Sequence, residues 1–274
     1  MSPGAPADHL QAKGSPGHAP TARGVAVITL AHGRHGHLRA QILGLRKGTR
    51  RPEFYVVAAM GDEAVGAVVA ASPPPATRVS VVDVPATAEL PLSTARNRAA
   101  ATAIRDGAEV LVFLDVDCIP APDLVETYAR ACDSAGGGTA AEVFSGAVHY
   151  LAPPRAARGY TDEELGESAP HPARPVVRDT ERELADDLRL FWSLSFGLTA
   201  RSWDAVGGFD EGYSGYGGED TDFAMRLDRA GGRLWWVRGG VAYHQHHEVE
   251  SPPVRHLEAI VRNSNLFHER WGHF

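Results

Sequence analysis

A chain of 274 residues with 43% hydrophobic content has enough apolar material for one large α/β domain or two small ones. Its net charge of -7 and pI near 6.0 give nucleic-acid phosphates no long-range attraction, so no nucleic-acid partner is expected and any phosphate site has to be local and metal-assisted. No stretch reaches the roughly 18 to 20 apolar residues of a bilayer span, no signal-peptide core is present, and Cys118 and Cys132 lack metal-pair spacing. These features predict a chain without a transmembrane segment, cytoplasmic with a peripheral membrane position left open, whose thiols are reduced.

Residues 1–23 are rich in Pro, Gly and Ala with almost no large apolar residue, which predicts a disordered tail ahead of one domain over 24–274. From Val25 the pattern changes. Apolar, β-branched runs at 25–31 (VAVITLA), 54–60 (FYVVAAM), 79–84 (VSVVDV) and 109–117 (EVLVFLDVD) read as buried parallel strands. Helical stretches separate them, notably the one opening at Ser93, with that serine as cap and Gly107 as stop. The alternation predicts an α/β fold with a doubly wound, mostly parallel central sheet and helices on both faces. In such sheets ligands bind outside the carboxyl ends of the strands. Those ends carry Leu30 and the loop with His32, His35 and His37, then Gly61, Asp62 and Glu63, then Asp115 and Asp117.

The second half is less regular. Residues 142–151 and 193–200 read as strands, whereas 152–190, rich in Pro, Arg and Glu, is expected to be a flexible loop or lid with at most one short helix. A Gly-rich turn with Tyr216, Gly217 and Gly218 leads into a helix beginning at Glu219 and Asp220, where the dipole favours acids. Phe223, Leu227 and Ala230 should form its apolar face, and Asp222 should pair with Arg226 at i, i+4. RLWWVRGG predicts a strand that leads to His244, and the tail from Pro253 an amphipathic helix burying Leu257, Ile260, Val261, Phe267 and Trp271.

Asp115 and Asp117, one residue apart on a strand end, should face the same way and share a cation. Adding His244 gives a mixed nitrogen and oxygen set suited to Mn²⁺ or Mg²⁺, with His246 and His247 as rivals for the imidazole role. Asp220 or Glu219 is placed to accept a proton from an attacking hydroxyl. Arg96 and Asn97, near a helix start, could reach phosphate or base, and Gly217 and Gly218 would let backbone approach a ligand.

Together, ARN at 95–97, LDVD at 114–117, GGFDE at 207–211, YGGED at 216–220 and His244 resemble a GT-A glycosyltransferase of the family 2 type, with a C-terminal portion similar to galactosyltransferases and polypeptide N-acetylgalactosaminyltransferases. The resemblance implies a nucleoside-diphosphate sugar donor, with UDP favoured, a divalent metal and an acceptor hydroxyl. It assigns metal binding to Asp117 and His244, the first motif acid Asp115 to ribose or donor sugar, the catalytic base of inverting enzymes to Asp220, and acceptor or sugar holding to Glu219. Tyr216 stands where those families have Trp, Arg96 near the diphosphate, and Leu30, His32 and Asp62 near the base. The first loop lacks the usual Pro-rich pattern, and 152–190 has no counterpart. Retention, a catalytically silent nucleotide-sugar or metal-binding protein, and nucleotidyl transfer are the competing readings; the last would need a phosphate loop rich in Gly, Arg and Lys after the first strand, which AHGRHGH is not.

Overall fold

The computed structural model describes residues 24–86, 88–135, 138–157, 159–248 and 254–272. The tail expected over 1–23 lies outside them. The first half alternates as the apolar runs require: β1 (Val25–Ala31), α1 (His35–Arg46), β2 (Phe54–Met60), α2 (Ala64–Ala71), β3 (Arg78–Val84), α3 (Leu92–Arg105) and β4 (Val110–Leu114). Next come β5 (Cys118–Pro120), α4 (Leu124–Ser134), β6 (Glu142–Ser145), β7 (Val148–Tyr150), α5 (Asp162–Gly166), β8 (Ala169–Pro170) and β9 (Arg182–Leu184). The chain closes with β10 (Ser195–Thr199), α6 (Ala200–Val206), α7 (Glu219–Arg229), β11 (Arg233–Val237), β12 (Ala242–His244) and α8 (Leu257–Trp271).

The main sheet has eight strands in the order β3-β2-β1-β4-β10-β6-β11-β9. The four strands of the first half run parallel, β10 enters antiparallel between β4 and β6, and β11 is parallel to β6. Apolar clusters cover both faces. On one, Phe113 stacks on Phe196 at 4.6 Å and on Trp203 at 4.9 Å, with Phe223 of α7 beneath. On the other, Val27, Tyr55 and Val112 pack against Leu38 and Ile42 of α1 and Tyr128 of α4. Both faces of β1 and β4 are therefore buried, which explains their unbroken apolar sequences.

A second, four-stranded sheet in the order β5-β12-β7-β8 does the gathering on which the site depends. β12 runs antiparallel to β5, with His244 opposite Cys118, and parallel to β7, with His244 opposite Tyr150. Residues far apart in sequence are thus set side by side just beyond the end of β4. Among the described residues, no helix is long and apolar enough to cross a membrane.

Several sequence expectations need correction. β3 is an edge strand whose residues are half exposed, because only β2 pairs with it. α3 begins one residue before Ser93, whose buried hydroxyl makes no capping bond; the cap position is Pro91. Residues 142–151 are split between the two sheets, with Gly146 at the crossover. On α7 the buried face is Phe223, Ala224 and Leu227, while Ala230 lies beyond the helix and is exposed. Asp222 does not pair with Arg226. It accepts from Trp271 at 3.0 Å and from Tyr213, while Arg226 donates to the carbonyls of Gly207 and Gly208. α8 buries Ala259, Asn263 and Phe267 and leaves Leu257 and Val261 exposed, since its contact is with the polar Gly-rich turn rather than with a broad apolar surface. Residues 152–190 hold α5, β8 and β9, with β9 paired to β11 at the edge of the main sheet.

The crossover at Gly146 leaves no room for a side chain: a Cβ there would meet the Gly240 carbonyl oxygen at 2.5 Å, a backbone atom that cannot rotate away. Gly146→Ala should lower stability by about 1 to 3 kcal/mol through overpacking, read as a reduced midpoint in urea unfolding.

Candidate active site

The turn between β4 and β5 is fixed before any of its carboxylates acts. Buried Gln41 of α1 donates to the Asp115 carbonyl at 2.7 Å and to the Cys118 carbonyl at 3.1 Å, while its own oxygen accepts from Thr29 and Tyr55. The Asp115 amide donates to Leu194 O, and the Asp117 carbonyl accepts from the Gln245 amide at 2.7 Å. The turn is thus held from helix α1 and from the chain flanking β10 and β12. Sequence reasoning missed Gln41; its signal was a polar residue on the inner face of a helix beside Ile42 and Leu45.

Because β4 ends at Leu114 and a turn follows, the alternation of a strand stops there and the two acids part. Asp115 meets Arg96 at 3.5 Å. Asp117 faces His244 and His247, each with Nε2 3.6 Å from Oδ2. The ligand atoms of Asp117, His244 and His247 all lie within 4.8 Å of one another. Asp115 is not part of that group, and His247, named only as a rival, is. The separation of three residues between His244 and His247 was its sequence signal. His246 instead turns its backbone to Tyr160 and His37. His244 is sandwiched between this group and the ring of Tyr150, stacked at 4.4 Å and 17°. Burial, opposed by the nearby Asp117 charge, lowers its pKa, so the imidazole is neutral and its nitrogen free to ligate at neutral pH. Arg34, at a left-handed φ of 46°, donates to the same Asp117 oxygen.

The second group lies across the cleft. Arg96 is 3% exposed, donates to Ser193 Oγ at 2.6 Å, lies 3.9 Å from Glu219 and rests on the ring of Phe209. Asp220 accepts from the Ser193 amide at 2.9 Å through Oδ2, while its Oδ1 and Glu219 Oε2 are buried without a protein partner. Glu219 is raised to about 7 by burial and by Asp220, with Arg96 opposing. Asp115 is likewise raised to about 7, by burial against the opposing pull of Arg96, with Asp117, Asp220 and Glu219 adding to the rise. The N-terminus of α7 supports its acids, and the turn before it is held by Asn263 of α8, which donates to the carbonyls of Ser214, Tyr216 and Gly217. Gly217 and Gly218 have φ of 100° and 92°, which only glycine takes without strain.

Asp117 of the first group and Arg96, Asp115, Glu219 and Asp220 of the second line one cleft of about 460 Å³. Its walls combine the less polar Leu30, His32, Met60, Leu90 and Leu92, the charged Asp115, Asp117, Arg34, Arg96, Glu219 and Asp220, and the aromatic Tyr150, Trp192 and Tyr216. Trp192 and Tyr150 were not anticipated as wall residues. Asp62, Asn97, Gly217 and Gly218, all expected to contact a ligand, fall outside these walls, and His244 stands behind Asp117. Asp62 spends its oxygens on the Gly33 and Ala64 amides and on His35, tying the β1–α1 loop to the β2–α2 loop; burial raises its pKa but these bonds outweigh that and lower it. Gly217 and Gly218 shape the turn, and Asn97 clamps the Phe209 backbone instead of facing a ligand.

Residues 184–250 match the family model described as the N-terminal domain of galactosyltransferase. Validoxylamine A glucosyltransferase of Streptomyces hygroscopicus subsp. jinggangensis is 30% identical over 199 residues, covering 66% of this chain and 44% of that protein, so the chain spans less than half the length of this curated relative. GalNAc-T7, solved with UDP, GalNAc and Mn²⁺, superposes with a TM-score of 0.63 at 16% identity over 90% of this chain and 48% of its own. Staphylococcus aureus TarS 1–349 with UDP-GlcNAc gives 0.57 at 14% identity, over 82% and 59%. These structural likenesses establish the fold.

Loss of a direct ligand should weaken a cation at least as much as loss of an outer-shell partner, about tenfold or more. His247→Ala should show that loss for Mn²⁺ by calorimetry, and His246→Ala should not. The raised Glu219 pKa has a stability consequence of definite sign. The fold favours the protonated acid, so this contribution is complete below the unfolded value and is lost as pH rises through about 7. Glu219→Gln should therefore gain stability over the parent progressively from about pH 5 and level off above about pH 8, measured by urea titration across pH.

Proposed function

We propose that this chain, a GT-A-type glycosyltransferase, transfers a sugar from a UDP-linked donor to an acceptor hydroxyl with inversion, using a divalent metal, Mn²⁺ ahead of Mg²⁺. The observation that carries this reading is one cleft whose wall presents Asp117, backed by His244 and His247, together with Glu219 and Asp220, each of the last two with an unpartnered buried oxygen. The family 2 character rests on the LDVD and ARN motifs, and residues 24–274 act as one catalytic unit. UDP in the solved relatives and the glucosyltransferase activity in the curated relative's name support the donor class.

The donor set fits the metal: one carboxylate and two imidazoles suit Mn²⁺ and disfavour Ca²⁺, which takes all-oxygen cages. Asp117, His244 and His247 would hold it, and when bound it neutralises charge on the departing diphosphate. The remaining work belongs to the chain's own side chains. Asp220, its Oδ2 fixed by the Ser193 amide, presents Oδ1 to the acceptor hydroxyl and takes its proton as the new bond forms. Glu219, titrating near neutrality, orients an acceptor or sugar hydroxyl. Arg96 holds Asp115 toward the ribose or donor sugar and adds positive charge near the diphosphate. Tyr216, Trp192 and Tyr150 offer aromatic faces to sugar rings. Leu30, Met60, Leu90, Leu92 and His32 are the less polar part of the lining and suit a base; Asp62 acts by fixing the loop that carries His32.

With a panel of UDP-sugars and Mn²⁺, Asp220→Asn should reduce turnover by about 10² to 10⁴-fold while leaving UDP affinity, measured by calorimetry, within error of the parent. The anomeric coupling of the product by NMR should report inversion. Undiminished turnover in Asp220→Asn would move the chain to a base-independent, retaining mechanism. A parent protein that binds UDP-sugars but turns none over would make it a binder.

A further inference from the structure

We infer that Arg174 is a positioning residue for Asp220, acting through the single peptide unit that joins Trp192 to Ser193; the inference rests on the reading of Asp220 as the base. Arg174 belongs to the 152–190 segment, for which the sequence offered no role. It is 4% exposed, and its guanidinium lies between the indoles of Trp192 at 5.1 Å and Trp236 at 5.3 Å. Nη1 donates to Ser145 Oγ at 2.7 Å, and Nη2 donates to the Trp192 carbonyl at 2.8 Å. Its backbone is tied in turn: the Arg174 amide donates to His171 O, and the His171 amide to Val148 O on β7.

Among the ion pairs of the described residues none involves Arg174. A buried cation held by neutral oxygens and indole faces is costly to keep, and hydrophobic packing of the same volume would serve a purely structural purpose at least as well. What a hydrophobic side chain would not do is grip a carbonyl. The Trp192 carbonyl and the Ser193 amide are the two ends of one rigid plane. Arg174 holds the oxygen end, and the N–H end donates to Asp220 Oδ2 at 2.9 Å. Rotation of that plane would break both bonds. A cation on the carbonyl also polarises the amide and strengthens its bond to the carboxylate. The next link of the same residue, Ser193 Oγ, receives Arg96 at 2.6 Å, so the plane orients both the base and the arginine beside Asp115.

The test uses Arg174→Met, which keeps the buried stem and removes the donors, with Arg174→Lys as the conservative variant. Amide exchange by NMR in the metal-free protein should show Ser193 losing protection by about tenfold or more in Arg174→Met, with the amides of β4 and β10 unchanged. With UDP-sugar and Mn²⁺, kcat should fall by about 10- to 100-fold at unchanged UDP affinity, the scale of a small misplacement of a reacting group. Arg174→Lys should recover part of that loss, and Arg174→Met should cost nothing further in an Asp220→Asn background. Unchanged Ser193 protection overturns the inference, as does a loss of protection spread evenly over β4 and β10. If Arg174→Met does not fold, Ser145→Ala removes one of the guanidinium's bonds and should loosen the Ser193 amide in the same direction; an unaltered Ser193 amide there overturns the inference equally. The exchange measurement needs no turnover, so a parent inactive toward every UDP-sugar would sink the transferase reading and leave the clamp to be judged by Ser193 alone.

Discussion

The constraint on which the rest depends is a deliberate excess of negative charge around one buried guanidinium. Asp115, Asp117, Glu219 and Asp220 converge on a cleft whose lining cations are Arg96 and Arg34. Arg96, buried and held by Ser193 and Phe209, sits among Asp115, Glu219 and Asp220 and cannot neutralise all of them. Asp115 and Glu219 answer by titrating near neutrality. The same excess of negative charge is what the proposed ion at Asp117 and the proposed base Asp220 would draw on.

The arrangement is built by assembling turns, each pinned from behind. Gln41 holds the β4–β5 turn, Asn263 the Gly-rich turn ahead of α7, and Asp62 the loop after β1. None of these side chains lines the cleft, yet each satisfies backbone groups that would otherwise let a functional side chain wander. The small sheet contributes the longest link, because pairing β12 with β5 is what delivers His244 to Asp117.

How much of this was legible follows from the range of the interactions. β1 and β2 were readable to the residue, because strands buried on both faces write unbroken apolar runs. The acids at 115, 117, 219 and 220 were readable because they follow such a strand or open a helix. The division of labour between Asp115 and Asp117 was not, since it depends on a turn that ends the strand at Leu114, three residues short of the expected run. His247 was left among equals because three neighbouring histidines differ only in where the chain after β12 bends. On α8 Phe267 is buried as expected, but the Asp222–Arg226 pairing and the burial of Leu257 and Val261 failed for a shared reason: tertiary partners, Trp271 and the carbonyls around Asn263, outcompeted the local pattern. Trp192, Arg174 and Gln41 gained their roles from neighbours more than seventeen positions away, which no local window contains.

Arg34 gives the cleft one further property. Its guanidinium rests on the very carboxylate oxygen that lies nearest His244 and His247. Asp117 would therefore have to release or share that guanidinium in order to serve a divalent ion, so its charge is already partly matched in the metal-free protein. Arg34, on a loop whose backbone is left-handed at that residue and itself part of the cleft wall, would remain close by as a positive charge for an anion.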